Sequence, residues 1–242
     1  MNRTRSPTLA VHSLPQGVFD LKIKLLKRCS KLIAENKEQT IFNHVGKKIL
    51  TDREIDIVAK IEEPMIVVLG NMLSDEECDE LIKLSTDKMK RSKIGTTREE
   101  NELRTSSSMF IEESENLIVA RIEKRIEAVM NIPIEHGEGL QILQYKPGQE
   151  YRAHHDFFSS TSKVTNNRIS TLIMYLNDVE EGGETFFPHL NFSVSPRKGM
   201  AVYFEYFYND PMLNDATLHG GAPVVTGEKW VATQWMRKQR VR

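Results

Sequence analysis

The residue types best able to do chemistry lie close together in Tyr151-Arg152-Ala153-His154-His155-Asp156-Phe157-Phe158. This run reads as a β-strand, and residues two apart on a strand share a face. His154 and Asp156 therefore point at one spot, with His155 directed away from it. An imidazole and a carboxylate so placed are two thirds of the 2-His-1-carboxylate facial triad, which holds non-haem Fe(II) and leaves positions open. The third ligand has to come from another strand far along the chain. His219, in Thr217-Leu218-His219-Gly220-Gly221, is the best candidate. Ten residues further on, Lys229 is a cation that could hold the far carboxylate of a 2-oxo acid. His-x-Asp alone is a weak signal that often arises by chance; the distal histidine, the following lysine and the strand-like flanks single it out. His12, His44, His136 and His189 have no second ligand at workable spacing and read as surface or structural.

Ligands from separate strands need a rigid frame to bring them together. From Gly139 onward the pattern is one of short strands, at 140–145, 150–156, 168–176, 184–187, 192–195, 200–207, 217–219 and 229–236. Pro- and Gly-containing joints separate them, such as Lys146-Pro147-Gly148 and Glu181-Gly182-Gly183. Eight short strands at this spacing suggest a double-sheet jelly roll with the ligands at one end of its interior. Upstream, 54–61 and 65–69 read as strands. A helix starts at Ser74, whose Glu77 three residues on makes a capping box; Cys78, Leu81, Ile82 and Met89 form its buried side. Cys78 is then a core residue rather than a reactive thiol. A second helix spans about 113–130, with Leu117, Ile118, Ile122, Ile126 and Val129 on one stripe and Asn131 and Pro133 stopping it. The polar stretch 104–108 reads as a loop.

The fold class is thus α+β with a mostly β core, a double-stranded β-helix (jelly roll) with N-terminal packing helices. Residues 1–35 form an N-terminal extension and 36–242 a single domain, its annex at 36–138 and its jelly-roll core at 139–238. Within the extension, 1–16 is polar and reads as disordered. In 18–34, Phe19, Ile23, Leu26 and Ile33 share one helical face opposite lysines. Such a basic amphipathic helix either binds membranes or docks on the protein, and docking is the favoured reading.

Composition removes several function classes. The 242 residues carry a net charge of −1 with both signs mixed, which argues against nucleic acid held by bulk charge. The two cysteines, Cys29 and Cys78, form no Cys-x-x-Cys pair, so a zinc ribbon or a disulfide framework is excluded. Few cysteines suit a reducing compartment, as does Fe(II). No apolar run is long enough to span a bilayer, and the first residues lack a secretory core. The sequence therefore reads as a soluble, cytoplasmic protein, with no nucleic-acid or membrane partner.

With these residues in view, the chain from about 64 to its C-terminus resembles the prolyl 4-hydroxylases, most of all their short bacterial forms. The matching segments are Arg104-Thr105-Ser106, Glu138 to Tyr145, the His154-x-Asp156 strand, Met174-Tyr175-Leu176-Asn177, Gly182 to Pro188, Leu218-His219-Gly220-Gly221, Gly227-Glu228-Lys229-Trp230 and Trp235. They run in the right order over roughly three quarters of the chain, which is far more specific than any one motif. His155 departs from the pattern, standing where relatives usually carry Tyr. It faces away from the triad, so no loss of iron is expected.

The resemblance implies an Fe(II)- and 2-oxoglutarate-dependent dioxygenase on a jelly-roll core. It would consume O2, release succinate and carbon dioxide, and hydroxylate peptidyl proline at C4. His154, Asp156 and His219 would be the metal ligands and Lys229 the anchor of the C5 carboxylate, with hydroxyl donors from Tyr145 and Thr185. Arg104, Ser106, Glu138, Tyr151, Arg168 and Trp235 would bind the peptide. Here Tyr151 and Trp235 would offer flat faces to a proline ring, and the arginines would meet carbonyls that a polyproline II chain leaves unpaired. Ascorbate as a further cofactor, a proline-rich or collagen-like substrate and a homodimer are also implied. Two alternatives stay open: a related dioxygenase acting on another side chain or a small molecule, and a cupin-like module that binds metal or 2-oxoglutarate without turnover. Lys229 and Gly182-Gly183-Glu184-Thr185 argue against the module, which needs no dicarboxylate clamp.

Overall fold

Strands that are apolar on both faces need a layer on each side. In Arg168–Tyr175, Leu172 and Met174 enter one core while Ile173 and Tyr175 face the other. The computed structural model describes residues 38–94, 99–100, 102–159 and 164–242. The extension expected over 1–35 and its amphipathic segment lie outside the described residues. Thr40–Arg242 forms one unit, and all the described strands and helices lie in it.

In chain order the strands are β1 (Lys48–Leu50), β2 (Glu54–Glu62), β3 (Met65–Gly70), β4 (Lys90–Arg91), β5 (Lys93–Ile94), β6 (Glu99–Glu100), β7 (Ser107–Phe110), β8 (Gln141–Tyr145), β9 (Tyr151–His154), β10 (Arg168–Tyr175), β11 (Glu181–Gly182), β12 (Thr185–Phe187), β13 (Phe192–Val194), β14 (Ala201–Glu205), β15 (His219–Gly221), β16 (Val224–Thr226) and β17 (Lys229–Arg237). The helices are α1 (Asp75–Ser85), α2 (Leu117–Met130) and α3 (Pro211–Asp215). One sheet of nine strands runs β1-β2-β3-β14-β10-β17-β8-β7-β4, and a facing sheet of four runs β13-β12-β15-β9. The two form the jelly roll, and every pairing in them is antiparallel. Helices α1 and α2 cover the outer face of the large sheet, where Cys78, Leu81, Ile122 and Ile126 pack with Leu172, Met174 and Ala232. Between the sheets Leu143, Tyr175, Phe187, Phe204 and Val231 form the second core. Among the described residues no helix is long and apolar enough to cross a membrane.

Helix α1 has the expected capping box: the Glu77 amide donates to Ser74 Oγ at 3.2 Å and the Ser74 amide donates to Glu77 Oε2 at 2.9 Å. Cys78 is fully buried, and burial pushes its thiol up to about 12, which fits a core residue. Helix α2 starts later than the sequence suggests. Asn116 caps it, with Oδ1 accepting from the amides of Ile118 and Val119. Leu117, expected on the buried stripe, is 90% exposed. It lies about 140° around the helix from Ile122, whereas Val119 lies about 60° away and takes its place in the core. Two strand expectations also shift. Residues 107–108 join β7 and pair with β8, although their polar side chains give no apolar alternation. β15 begins at His219, because the amides of Thr217 and Leu218 donate to carbonyls at the end of α3.

The buried face of α2 also carries Arg125. Its five N–H donors meet five acceptors on Asp52, Glu77 and the carbonyl of Met72. This joins α2 to α1 and to the β1–β2 turn. Among the described residues, Arg125→Ala leaves the buried Glu77 with Arg53, Arg121 and the Ser74 amide. The expected loss is about 3 kcal/mol, the low end for breaking a buried pair, read as a lower urea midpoint with unchanged slope.

Candidate active site

The site lies where the ends of β9 and β15 meet the inner faces of β8, β10 and β17. His154 and His219 are directly opposite each other in the β9–β15 ladder. Gly220 permits this close pairing: a Cβ there would fall 2.8 Å from the Tyr151 carbonyl oxygen and 2.6 Å from the Phe186 ring. Asp156 follows β9 by two residues, so strand parity directs it as expected although the strand has ended. Its Oδ1 is 3.5 Å from His154 Nε2 and its Oδ2 is 3.5 Å from His219 Nε2. One ligand atom from each of the three lies within 4.8 Å of the others. His155 turns away toward α3, its Nε2 3.3 Å from the Asp215 carbonyl, as strand parity predicts although β9 ends at His154.

The donor set fits a divalent metal. His154 Nδ1 donates to the Arg152 carbonyl at 2.9 Å and His219 Nδ1 to the Thr217 carbonyl at 3.0 Å. Each imidazole is thereby oriented with its Nε2 lone pair toward Asp156. Burial favours a neutral His219 and lowers its pKa to about 4. Burial alone would raise the Asp156 carboxyl, but His219 and His154, when protonated at low pH, and the nearby Arg168 hold it well below the usual carboxylate range. At neutral pH the groups are therefore a carboxylate and an uncharged His219, the states that bind metal. Thr171 on β10 donates to Asp156 Oδ2 at 2.7 Å and is itself 2.7 Å from the Tyr206 hydroxyl. This polar chain fixes the carboxylate and was not foreseen.

Lys229, Val231, Thr233 and Trp235 alternate along β17 and all line one cleft with the triad. Lys229 is 4% exposed and forms no ion pair among the described residues. Burial lowers its pKa to about 8, partly offset by Glu184. Tyr145 is its cross-strand partner on β8, and the ammonium lies 5.5 Å from that ring and 5.8 Å from the ring of Tyr175. Thr185 enters from the facing sheet, and its Oγ1 accepts from the Tyr175 hydroxyl at 2.8 Å. With its lone pair so engaged, the Thr185 proton is free to donate into the cleft. Tyr175 was missed as a site residue, although parity with Ile173 places it on the inner face of β10. A side chain on Gly221 would begin 3.6 Å from Lys229 Nζ, so glycine keeps the space beside the ammonium open.

A wider groove of about 480 Å³ opens outside the cleft, and Arg104, Tyr151, Asp156 and Trp235 line both. Five of the six expected peptide-binding residues line this groove: Arg104, Glu138, Tyr151, Arg168 and Trp235. Ser106 does not. It is fully buried, and its hydroxyl lies 2.8 Å from that of Ser92. The expected flat aromatic faces are also covered. Tyr151 stacks on His154 at 3.5 Å with Arg104 4.9 Å away, and Arg168 sits 4.1 Å over Trp235. Arg168 is not a free donor either, because Nε and Nη2 both bond Glu138, which also accepts from Arg237. Arg104 Nη2 donates to Gln141 Oε1, a partner the sequence did not suggest.

Residues 140–237 match the model of the 2OG-Fe(II) oxygenase superfamily. Over 199 residues the chain is 40% identical to an Arabidopsis thaliana protein named probable prolyl 4-hydroxylase 3, covering 72% of this chain and 69% of that one. The chain belongs to the prolyl 4-hydroxylase family. It is a dioxygenase that uses Fe(II) and 2-oxoglutarate. Among solved structures, a viral collagen prolyl hydroxylase from Paramecium Bursaria Chlorella virus-1, in its 2-oxoglutarate complex, matches with TM-score 0.58 and 32% identity over 71% of this chain and 95% of that one. A Pseudomonas putida prolyl-4-hydroxylase shares the fold, with TM-score 0.52 and 17% identity over 72% of this chain and 92% of that one. The likeness thus extends well beyond the bacterial forms. In this family the bound iron supplies the oxidative chemistry, while the protein supplies orientation and exclusion of competing reactions.

Proposed function

We propose that this prolyl 4-hydroxylase family member hydroxylates peptidyl proline at C4, using His154, Asp156 and His219 as its iron ligands. The observation that carries the reading is the adjacency of two spaces, a cleft lined by the buried Lys229 and a wider groove, which share Arg104, Tyr151, Asp156 and Trp235 as lining. Lys229 holds the C5 carboxylate of 2-oxoglutarate, helped by Thr185 and Tyr145, with Tyr175 orienting Thr185. Arg104, Tyr151 and Trp235 form the wall that positions the proline. Arg104 Nε and Trp235 Nε1 are buried donors without an acceptor among the described residues, as expected of a wall that closes on a carbonyl-bearing chain. Glu138 and Arg168 act by holding that wall in place rather than by offering free donors.

The finer readings belong to the same proposal. They are a proline-rich or collagen-like substrate, ascorbate as a further cofactor, a homodimer and a cytoplasmic place of action, and they rest on the resemblance and on composition. The test is direct. Pro-Pro-Gly repeats should stimulate succinate formation, and mass spectrometry should find one added oxygen on proline C4. Hydroxylation of another residue, with no stimulation by any proline peptide, would move the assignment to a different side chain.

A further inference from the structure

The outer groove carries a charge that a neutral proline chain does not need. Lys90, Arg91, Arg104, Arg168 and Arg237 line it, against the carboxylates Glu138 and Asp156. The whole chain has a net charge of −1, so this excess of cations is local. Glu138 is shared by Arg168 and Arg237, and Asp156 lies between two imidazoles. Neither is free to neutralise the rim. Lys93, on the neighbouring strand β5, adds a further cation to the lining. Lys90 and Arg91 have no ion pair among the described residues. Lys90 is exposed and Arg91 half-buried, on the outermost strand of the large sheet. Charge on an edge strand discourages unwanted strand pairing, which accounts for a cation there but not for its lying on a groove that leads to the triad. Cations concentrated along one groove attract and orient an oppositely charged partner.

We propose that the groove selects peptides whose target proline is flanked by acidic side chains, with Lys90 and Arg91 as the specificity-determining contacts. This rests on the reading of the groove as the peptide site. A partly exposed ion pair has a modest effect, so two of them give a preference of about fivefold rather than an absolute requirement.

The test uses three fluorescent proline peptides that differ only in having Glu, Gln or Lys beside the target proline. Binding is followed by anisotropy and hydroxylation by mass spectrometry. The Glu peptide should bind about fivefold more tightly than the Gln peptide, and the Lys peptide most weakly. Raised salt should shrink the difference, as expected for exposed charges. In the double variant Lys90→Gln, Arg91→Gln the Glu and Gln peptides should bind alike. Equal binding of Glu and Gln peptides to the unaltered protein, or tighter binding of the Lys peptide, overturns the proposal. A preference that survives in the double variant overturns the assignment to these two residues. If the Glu preference is present but no peptide gains hydroxyproline, the charge selection stands and the proline reading fails.

Discussion

Asp156→Ala should abolish Fe(II) binding and 2-oxoglutarate turnover together, and His219→Ala should do the same. Among the described residues Asp156 is the only carboxylate grouped with the two imidazoles, and it bridges them with one oxygen toward each. Without it the two histidines would have to hold the divalent iron alone, with one ligand fewer and no anionic ligand of the set left. A graded comparison separates ligand from support. Thr171→Val keeps the carboxylate but removes the hydroxyl that donates to Oδ2 at 2.7 Å. Loss of such a supporting partner typically costs about 10–100-fold in metal affinity or activity. The ligand variants should lose more than that and the Thr171 variant should fall in that range, with thermal unfolding confirming that each remains folded. Fe(II) binding measured by calorimetry and decarboxylation measured by succinate release are the two readouts. Full turnover in His219→Ala would remove this histidine from the triad.

The parts of this site that were legible in the sequence depend on local parity or on a distinctive residue type. His154 and Asp156 stand two apart on one strand, so their convergence follows from the pleat. The alternation of Lys229, Val231, Thr233 and Trp235 extends the same rule along β17 to give one wall of the cleft. The capping box at Ser74 was legible for the same reason, since its two partners are three residues apart. The supporting contacts were not legible. Thr171 meets Asp156, Tyr175 meets Thr185 and Arg104 meets Gln141 through pairings set by the sheets. No periodicity within one segment specifies which distant strand it will face. The same holds for Ser106, whose polar side chain is satisfied by Ser92 in the interior rather than by a ligand. It also holds for the aromatic faces, because Tyr151 and Trp235 are flat in sequence but covered in three dimensions by His154, Arg104 and Arg168. Leu117 fails for a different reason: the cap at Asn116 fixes where the helix starts, and moving that start decides which residues share its buried stripe.

Lys229→Ala should raise the 2-oxoglutarate requirement by tens- to thousands-fold while the peptide requirement stays nearly unchanged. Truncating one partner of a buried charge pair costs on the order of 2–5 kcal/mol, and Lys229 is a buried cation without an ion-pair partner among the described residues. Its titration gives a second and independent signature. In the free site burial lowers the ammonium to about 8, from an ordinary value of 10.5. A carboxylate bound beside it favours the charged form and raises that value again. The complex therefore holds a proton that the free site releases above about pH 8. It follows that 2-oxoglutarate binding takes up a proton above that pH, and affinity falls as pH rises, by about tenfold per unit until the pKa of the complex is reached. Below pH 8 the lysine is charged in both states, and affinity should be level with respect to this group. Calorimetric titrations in buffers of different ionisation enthalpy measure the proton uptake directly. Affinity that stays constant from pH 7 to 10 in the unaltered protein, or an unchanged 2-oxoglutarate requirement in Lys229→Ala, would assign the C5 carboxylate to another cation. Lys229→Arg distinguishes charge from fit. It keeps a cation that does not titrate in this range, so any 2-oxoglutarate binding it retains should lose the pH dependence above 8.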